Sequence, residues 1–496
     1  MDKLSALKSM KGREAVTSGA CDTLWLSANR GNKQTLDKDI KTDTLVIGAG
    51  IAGLSTAYNL LEKGKKVVVL EDGLLGSGET GRTTAHLSYT MDDRLFEIEK
   101  IFGERGAMIA AQSHAAAVET MYNISKKEKI DCDYTGVDGY LFSEHGKILE
   151  KELKAYKKAG FKPKLSDTAP DNTFDMGANL RFPKQAHIHP MKYLSGLAST
   201  IKRKGGEIFT GTHAQEVGAG KVVTADGKRV HAKNIVIATN VPIMDKKIVL
   251  KQAAYRTFVI AARIKKGLLS DALYWDTLEN YHYVRLQKYD RRYDHIIIGG
   301  EDHKTGQAND GEDRFLRLEK WARERFPITS IDYRWSGQVI EPLDYMGFIG
   351  RYPGKKNIFI STADSGQGMT HGTIAGILIS DLIIGRKNIW EKLYDPSRKK
   401  AVGRFLAHNM NVAGQFVKYL KSDREVRPGE GGRIGKKVMI NDGKVRKFSG
   451  ICPHMGCGVL WNSTEKTFDC PCHGSRYTAY GKVVNAPANH GLEVED

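Results

Sequence analysis

Two cysteines and two histidines near the C-terminal end have the types and spacing of metal ligands. Cys452 and His454 form a Cys-x-His pair, and Cys470 and His473 form a Cys-x-x-His pair after fifteen intervening residues. Two thiolates and two imidazoles can hold a structural zinc, which takes a tetrahedral Cys2His2 set. They can also hold a 2Fe-2S centre in which the cysteines bind one iron and the histidines the other, which raises the reduction potential over an all-cysteine cluster.

A second cysteine pair favours the iron-sulfur centre. Cys457 and Cys472 stand a few residues from the ligands, positioned to tie the two loops by a disulfide, for which a zinc knuckle has no need. The segments Cys-Pro-His-Met-Gly-Cys and Cys-Pro-Cys-His-Gly-Ser-Arg-Tyr resemble the cluster-binding boxes of the Rieske family in its high-potential form. The resemblance implies that Ser475 and Tyr477 donate hydrogen bonds to cluster sulfurs, which favours the reduced state and raises the potential.

A complete βαβ fingerprint occurs near the N-terminal end of the chain. An apolar strand, the motif Gly48-Ala49-Gly50-Ile51-Ala52-Gly53, a helix and a second apolar strand ending on Glu71 follow one another. Gly48 permits the tight turn, Gly50 lets backbone amides approach a pyrophosphate, and Gly53 lets the helix pack closely on the strand. Glu71 is placed to accept hydrogen bonds from an adenosine ribose. The pattern predicts dinucleotide binding, without distinguishing FAD from NAD.

The small, polar run at residues 75–87 resembles the flavin loop of the D-amino-acid oxidase superfamily of FAD-dependent amine and amino-acid oxidoreductases. The resemblance implies an FAD site that includes Ala52 in the first motif, Arg82, Thr83 and His86 in this run, Ala238 at the end of a returning strand, and Gly366, Gly368, Met369 and Thr370 in a C-terminal flavin motif. In members with a histidyl-linked flavin, the linking histidine falls near Arg82. Arginine cannot form that bond, so we expect non-covalent FAD.

The same resemblance implies a β-sheet substrate cap whose inner face looks toward the flavin. Tyr255, Arg256, Tyr283 and Arg285 lie on strands predicted for this cap. They are candidates for holding a substrate carboxylate, because an arginine fork matches a carboxylate with two parallel hydrogen bonds. Ordinary strand residues would give the same pattern. The sequence nominates no general base.

These features predict an α/β FAD-binding Rossmann-like domain with an inserted β-sheet cap of D-amino-acid oxidase type, followed by a small all-β Rieske domain. We expect a leader at residues 1–42, the FAD-dependent domain at 43–390, a connector helix at 391–425 and the Rieske domain at 426–496. The cap is expected at roughly 130–185 and 250–335.

Composition restricts the location and the partners. The 496-residue chain has a net charge of +18 and six cysteines, four of them in the cluster boxes. The sequence shows no secretion signal and no apolar run long enough to span a bilayer, so we expect a cytoplasmic protein without a transmembrane segment. The basic surface favours an acidic carrier protein as partner over nucleic acid.

The function that this organisation favours is oxidation of a small amine or amino acid by FAD. Electrons then pass through the cluster to an external one-electron acceptor, with His454 and His473 forming the exposed cluster edge. No second βαβ fingerprint is present in the sequence, which speaks against NAD(P)H as the electron source. Two alternatives remain: electrons entering through the Rieske domain for a reductive or monooxygenase flavin reaction, or a non-catalytic electron-transfer or redox-sensing module.

Overall fold

The computed structural model describes residues 2–168, 177–243, 246–418 and 426–495. Within those ranges the α-helices are, in chain order, α1 (Lys3–Lys8), α2 (Ile51–Glu62), α3 (Leu95–Lys127), α4 (Gly146–Lys158), α5 (Pro190–Arg203), α6 (Gly311–Arg325), α7 (Gly368–Ile383), α8 (Glu391–Tyr394) and α9 (Val402–Lys418). None of these described helices combines the length and apolar character needed to cross a bilayer. Residues 419–425 of the predicted connector lie outside the described residues.

The strands of the described residues form four sheets. In chain order they are β1 (Ile40–Ile47), β2 (Val67–Leu70), β3 (His86–Leu87), β4 (Thr135–Phe142), β5 (Lys164–Ser166), β6 (Asn179–His187), β7 (Glu207–Phe209), β8 (Ala214–Gly218), β9 (Lys221–Thr224), β10 (Arg229–Ile237), β11 (Gln252–Lys265), β12 (Leu273–Trp275), β13 (His282–Lys288), β14 (Tyr293–Lys304), β15 (Ile331–Pro342), β16 (Phe348–Arg351), β17 (Ile358–Thr362), β18 (Gly431–Ile434), β19 (Lys437–Asn441), β20 (Val445–Ser449), β21 (Leu460–Asn462), β22 (Thr467–Asp469), β23 (Arg476–Thr478), β24 (Val483–Asn485) and β25 (Val494–Glu495).

The first sheet is the nucleotide sheet, with strand order β16-β17-β10-β1-β2-β7. Strand β1 pairs in parallel with β2 and β10, and β10 pairs in parallel with β17. Parallel strands covered on both faces are continuous apolar runs, as in β2, whose four residues are all buried. Helices α2 and α7 pack so closely that a Cβ added to Gly376 of α7 would lie only 2.7 Å from the Cβ of Ser55 of α2.

The second sheet is the cap sheet, with strand order β15-β11-β14-β13-β12-β4-β6-β3. Its longest strand, β11, pairs antiparallel with β14 on one side and β15 on the other. One face of β11, including Phe258 and Ile260, packs with helix α6 in an apolar cluster. Other residues of the same strand, Val259 and Ala261, belong to the core shared with the nucleotide sheet. The cap sheet is therefore fixed to the FAD-binding half.

Two four-stranded antiparallel sheets form the C-terminal domain, with orders β18-β19-β20-β25 and β21-β22-β23-β24. Its core contains Phe448, Phe468 and Tyr477, and also Leu7 from α1 and Val412 from α9. The start of the chain and the connector helix are thus packed into the last domain. The predicted fold class, an α/β FAD-binding domain with a β-sheet cap and a small all-β domain, is confirmed.

A buried carboxylate joins the C-terminal domain to the other two sheets. The Glu465 side chain accepts hydrogen bonds from Arg82 Nη2 at 2.7 Å and from Arg256 Nη2 at 3.2 Å. It also accepts the Ser336 hydroxyl and the Cys21 main-chain N–H. Glu465 and both arginines are at most 2% exposed. One carboxylate therefore ties the leader, the flavin loop and the cap sheet to the C-terminal domain.

The charge of Glu465 is maintained by its partners. Burial by itself would raise its pKa, but the guanidinium charges of Arg82, Arg256 and Arg476 outweigh burial and hold the pKa at about 2, below the ordinary value of 4.5. The ionised carboxylate therefore stabilises the folded protein fully above about pH 4.5, and this contribution is lost as the pH falls toward 2.

We predict that Glu465→Gln destabilises the protein by about 3–5 kcal/mol at neutral pH, because it leaves buried guanidinium groups without their counter-charge. Urea unfolding measures the difference in the free energy of unfolding. The difference between wild type and variant should shrink as the pH is lowered below 4.5, because the carboxylate of the unfolded wild type then takes up a proton, whereas that of the folded protein stays ionised to about pH 2.

Glu391→Gln is the matched control, because Glu391 pairs with Arg351 at a site where both side chains are about half exposed. Exposed pairs contribute less than about 1 kcal/mol, so this variant should unfold like the wild type. Equal unfolding of all three proteins at neutral pH would contradict the role assigned to Glu465.

Candidate functional site

The glycine motif after β1 forms a cradle that side chains would fill. A Cβ on Gly48, whose φ is +104°, would lie 2.4 Å from the carbonyl oxygen of Ala238, and a Cβ on Gly53 would lie 1.9 Å from that of Gly48. Gly50 is the N-cap of α2 and has no side chain to close the helix end. The Ile51 N–H at this end donates to the Thr80 hydroxyl at 3.1 Å, so the next N–H groups of the first turn are the ones that can face an anionic pyrophosphate.

Glu71 lies directly after β2, at the edge of this cradle. Its carboxylate accepts the N–H of Ala49 at 2.6 Å and that of Gly73 at 3.1 Å, and it also accepts the hydroxyl of Ser77. Burial raises its pKa. A carboxylate offers about four acceptor positions, so these contacts leave room for a ribose hydroxyl.

A cavity of about 1290 Å³ runs from this cradle to the cap sheet. Among the residues predicted to contact FAD, those that line it are Gly48, Gly50, Ala52, Glu71, Arg82, Thr83, His86, Ala238, Gly366, Gly368, Met369 and Thr370. Gly53 instead faces Gly48 beneath the turn. The glycine cradle, the buried acid and the length of the cavity fit FAD.

The side chain of Arg82 does more than border this cavity. Its guanidinium donates to the Ser336 carbonyl at 2.5 Å, to the Thr17 hydroxyl at 2.7 Å and to Glu465. His86 pairs through Nδ1 with the Thr84 hydroxyl, and its Nε2 has no partner among the described residues. Burial lowers the pKa of His86 to about 3, so its imidazole is neutral.

The four substrate-side candidates have different positions. Tyr283 lines the cavity, with its hydroxyl 2.9 Å from that of Thr257, whereas Tyr255 is not among the lining residues. Arg285 is fully buried outside the cavity and donates to the carbonyls of Thr84, Ile188 and Leu286. Arg256 is bonded to Glu465 and Ser336. Neither arginine lines the cavity, and both donate hydrogen bonds to protein groups.

Carboxylates that sequence reasoning missed line the cavity near the C-terminal flavin motif. A Cβ on Gly366 would lie 2.4 Å from Asp92 Oδ2, and a Cβ on Gly368 would lie 2.7 Å from Asp364 Oδ2. The Ser365 hydroxyl donates to Asp93. Burial raises the pKa of Asp92, Asp93 and Asp364 to about 7.

Glu341 lines the same cavity, and burial raises its pKa well above the ordinary value. The positive charge of Arg94 partly offsets the effect of burial on the pKa of Asp92, and its guanidinium donates to the carbonyls of Met91 and Asp276. Two of these acids could have been noticed in the sequence, since Asp364 directly precedes the flavin motif and Asp92 is the first residue of an Asp-Asp pair. Only the folded chain brings them together.

The proposed cluster ligands converge in the C-terminal domain. A disulfide joins Cys457 to Cys472, and Cys452 and Cys470 are free thiols. The Tyr477 hydroxyl lies 3.0 Å from Cys452 Sγ. Hydrogen bonds from Cys470, Tyr477 and Ser475 overcome burial and lower the pKa of Cys452 to about 6, so this thiol readily becomes a thiolate.

The two proposed histidine ligands lie side by side, with 5.1 Å between the ring centroids of His454 and His473. Neither ring nitrogen of His473 has a hydrogen-bond partner among the described residues, although this residue is only 6% exposed. Two adjacent thiols, two adjacent imidazoles and a buried ring with free nitrogens fit a 2Fe-2S centre with two cysteine and two histidine ligands.

The orientation of the cluster site differs from the sequence prediction. His473 was expected at an exposed edge, but it is buried next to α9, close to His408. Gln307 donates to the carbonyl of Pro471 and to Asn411 on α9, which holds the helix over this loop. Of the two histidines only His454 is partly exposed. The His473 side of the cluster site therefore faces the FAD-binding half.

The chain matches the family model "FAD dependent oxidoreductase" (DAO) over residues 43–382 and the model "Rieske [2Fe-2S] domain" over residues 416–494. The Rieske 2Fe-2S iron-sulfur protein YhfW of Bacillus subtilis (strain 168) is 30% identical over 96% of this chain and 98% of its own length. The gamma-glutamylputrescine oxidoreductase of Escherichia coli (strain K12) is 29% identical over 71% of this chain and 85% of its own length.

Among solved structures, glycine oxidase from Geobacillus kaustophilus superimposes with a TM-score of 0.58 at 14% identity, covering 72% of this chain and 99% of that one. This likeness supports the fold of the first two sheets. The family matches, the glycine cradle and the paired thiols and imidazoles agree with one another. The chain therefore belongs to the DAO family of FAD-dependent oxidoreductases and carries a C-terminal Rieske 2Fe-2S domain.

Proposed function

We propose that this protein oxidises a small cationic amine at FAD and delivers the electrons through the Rieske cluster to an external one-electron acceptor. Bound FAD would take two electrons from the amine, and the cluster would pass them on singly by reduction of a ferric to a ferrous ion. One observation carries the proposal: Val483, Asn485 and Ala488 of the C-terminal domain line the same cavity as the glycine cradle.

The lining of the cavity favours an amine over an amino acid. Four carboxylates, those of Asp92, Asp93, Glu341 and Asp364, line it near the flavin motif. The arginines predicted to hold a substrate carboxylate are engaged in packing. The carboxylate of an amino-acid substrate would be repelled by these side chains, whereas an ammonium group would form charge-assisted hydrogen bonds with them. The compound in the name of the relative gamma-glutamylputrescine oxidoreductase contains a primary amine, and its glutamyl part also carries a carboxylate.

The same carboxylates can manage the substrate proton. An ammonium group must lose a proton before its carbon can give up a hydride. A carboxylate whose pKa is about 7, such as that of Asp92, can accept the proton near neutral pH, since general bases work best with a pKa close to the operating pH. We assign this role to Asp92, with Asp93 and Asp364 contributing to the binding of the cation.

Electrons are proposed to leave near His454, where Pro453 and Met455 are exposed. The net charge of +18 favours an acidic acceptor protein at this surface. Four of the six cysteines are outside any disulfide, which supports a cytoplasmic location.

We predict that anaerobic addition of small primary amines or diamines bleaches the flavin absorbance and produces the EPR signal of a reduced Rieske cluster. Stopped-flow absorbance and freeze-quenched EPR measure the two events. Zwitterionic amino acids should reduce the flavin more slowly, because their carboxylate meets the acidic lining of the cavity.

Flavin bleaching without a cluster signal would exclude internal electron transfer. Faster reduction by amino acids than by amines would contradict the substrate class. Failure of every amine and amino acid, together with rapid reduction by a ferredoxin, would reverse the direction of electron flow.

We predict that Asp92→Asn lowers kcat/KM for the best amine by about 10- to 100-fold, the equivalent of one hydrogen bond to a charged group. In the wild type, kcat/KM for a cationic amine should rise as the pH passes about 7, because the carboxylates then become ionised. The rise should be shallower in the variant. Steady-state kinetics across this pH range measure both effects.

Asp138→Asn provides the matched control, because it removes a carboxylate of the cap sheet that pairs with Arg181 outside the cavity. Its kcat/KM and pH profile should equal those of the wild type. An Asp92→Asn enzyme with the same kinetics as this control would refute the role of Asp92.

A further inference from the structure

Gln338 on β15 is the cap-sheet residue whose side chain joins the cofactor cavity to the cluster loop. It lines the cavity and is 5% exposed. Its side-chain Nε2 donates to the carbonyl oxygen of Gly474 at 2.7 Å. Gly474 stands between the proposed ligand His473 and Ser475. The Gln338 side chain therefore connects the wall of the cavity to the loop that carries the ligand.

Main-chain hydrogen bonds within the cluster loop hold the carbonyl of Gly474 in one position. The Gly474 N–H donates to the Cys470 carbonyl at 3.1 Å, and the Cys470 N–H donates to the Ser475 carbonyl at 2.8 Å. Gly474 has a φ of +82°, and a Cβ there would lie 2.3 Å from the Cβ of Ala254 and 2.8 Å from Gln338 Nε2. The loop therefore approaches β11 and β15 closely, and a side chain at this position would push it away.

Gln338 is itself held at both ends. Its main-chain N–H donates to Glu79 Oε2 at 2.6 Å. Glu79 Oε1 accepts the Asn485 side chain of the C-terminal domain at 2.9 Å and the Ser18 hydroxyl at 3.0 Å. The Gly474 carbonyl can only accept, so the amide must present Nε2 to it, which orients Oε1 away from the loop. Oε1 has no partner among the described residues.

We propose that Gln338 is a positioning residue that fixes the cluster loop against the wall of the flavin cavity and so sets the distance between the two redox sites. The effect of Gln338 on electron transfer rests on the proposed function. Its effect on the position of the cluster loop does not. Removing the amide should loosen the loop, weaken the hydrogen bonds that Tyr477 and Ser475 make to the proposed ligand Cys452, and lower the reduction potential of the cluster.

The test compares wild type with Gln338→Leu, which keeps a side chain of similar size but cannot hydrogen-bond, and with Gln307→Leu as the matched control. Gln307 donates its Nε2 to the carbonyl of Pro471 in the same loop at 3.1 Å but does not line the cavity. Bound FAD is photoreduced anaerobically with light and deazaflavin, and cluster reduction is followed by freeze-quenched EPR. The reduction potential and EPR line shape of the cluster are measured separately in redox titrations.

We expect Gln338→Leu to slow cluster reduction several-fold, because electron tunnelling slows as the distance between redox sites grows, and to lower the cluster potential. Gln307→Leu removes a bond on the α9 side of the same loop and not at the cavity wall, so its changes in rate, potential and line shape should be much smaller. Gln338→Met replaces the leucine variant if the latter does not retain FAD and iron.

A Gln338 variant with wild-type rate, potential and line shape would overturn the inference. A wild-type protein in which no electron reaches the cluster would overturn the proposed function instead, while the potential and line shape of the variant would still decide the role of Gln338. Equal losses in the Gln338 and Gln307 variants would also overturn it, because the effect would then belong to loop packing in general.

Discussion

The ionised carboxylate of Glu465, buried among guanidinium groups, is the interaction on which the arrangement of the whole molecule depends. It receives Arg82 from the flavin loop and Arg256 from the cap sheet, while Arg476 within its own domain adds to the positive field. A buried charge of this kind is strongly favourable only when all partners are in place. The C-terminal domain therefore has one defined position on the flavoprotein, and the two cofactor sites acquire a fixed relation to each other.

That fixed position explains why the cluster site faces inward. His473 is buried next to α9, while the segment from Tyr480 to Leu492 forms part of the wall of the cofactor cavity. Leu7 and Val412 extend the core of the C-terminal domain into the start of the chain and the connector. In the proposed function, a domain packed in this manner would receive electrons without having to move, and the partly exposed His454 would be their exit.

The same network determines the charge of the substrate region. Arg82 and Arg256 are committed to Glu465, and Arg285 supports main-chain carbonyls, so these three guanidinium groups are not available to a substrate carboxylate. Asp92, Asp93, Glu341 and Asp364 are left to line the cavity, where burial raises their pKa values. The proposed cationic substrate is the kind of ligand that such a lining would bind without repulsion.

Both cofactors could be predicted from the sequence, because the residues of each binding motif are close together in the chain and their chemistry follows from local spacing. The glycine motif at Gly48 and the paired Cys-His boxes at Cys452 and Cys470 are of this kind. The hydrogen-bond partners of Arg82, Arg256 and Arg285 could be seen only in the folded protein. The same is true of the acidic lining of the cavity and of the burial of His473. Arg82 and Glu465 are 383 residues apart, and no local pattern indicates that a guanidinium will meet a distant carboxylate rather than a ligand. The physical reason is that a charged side chain is assigned its partner by packing, whereas a glycine turn or a ligand pair carries its geometry within its own few residues.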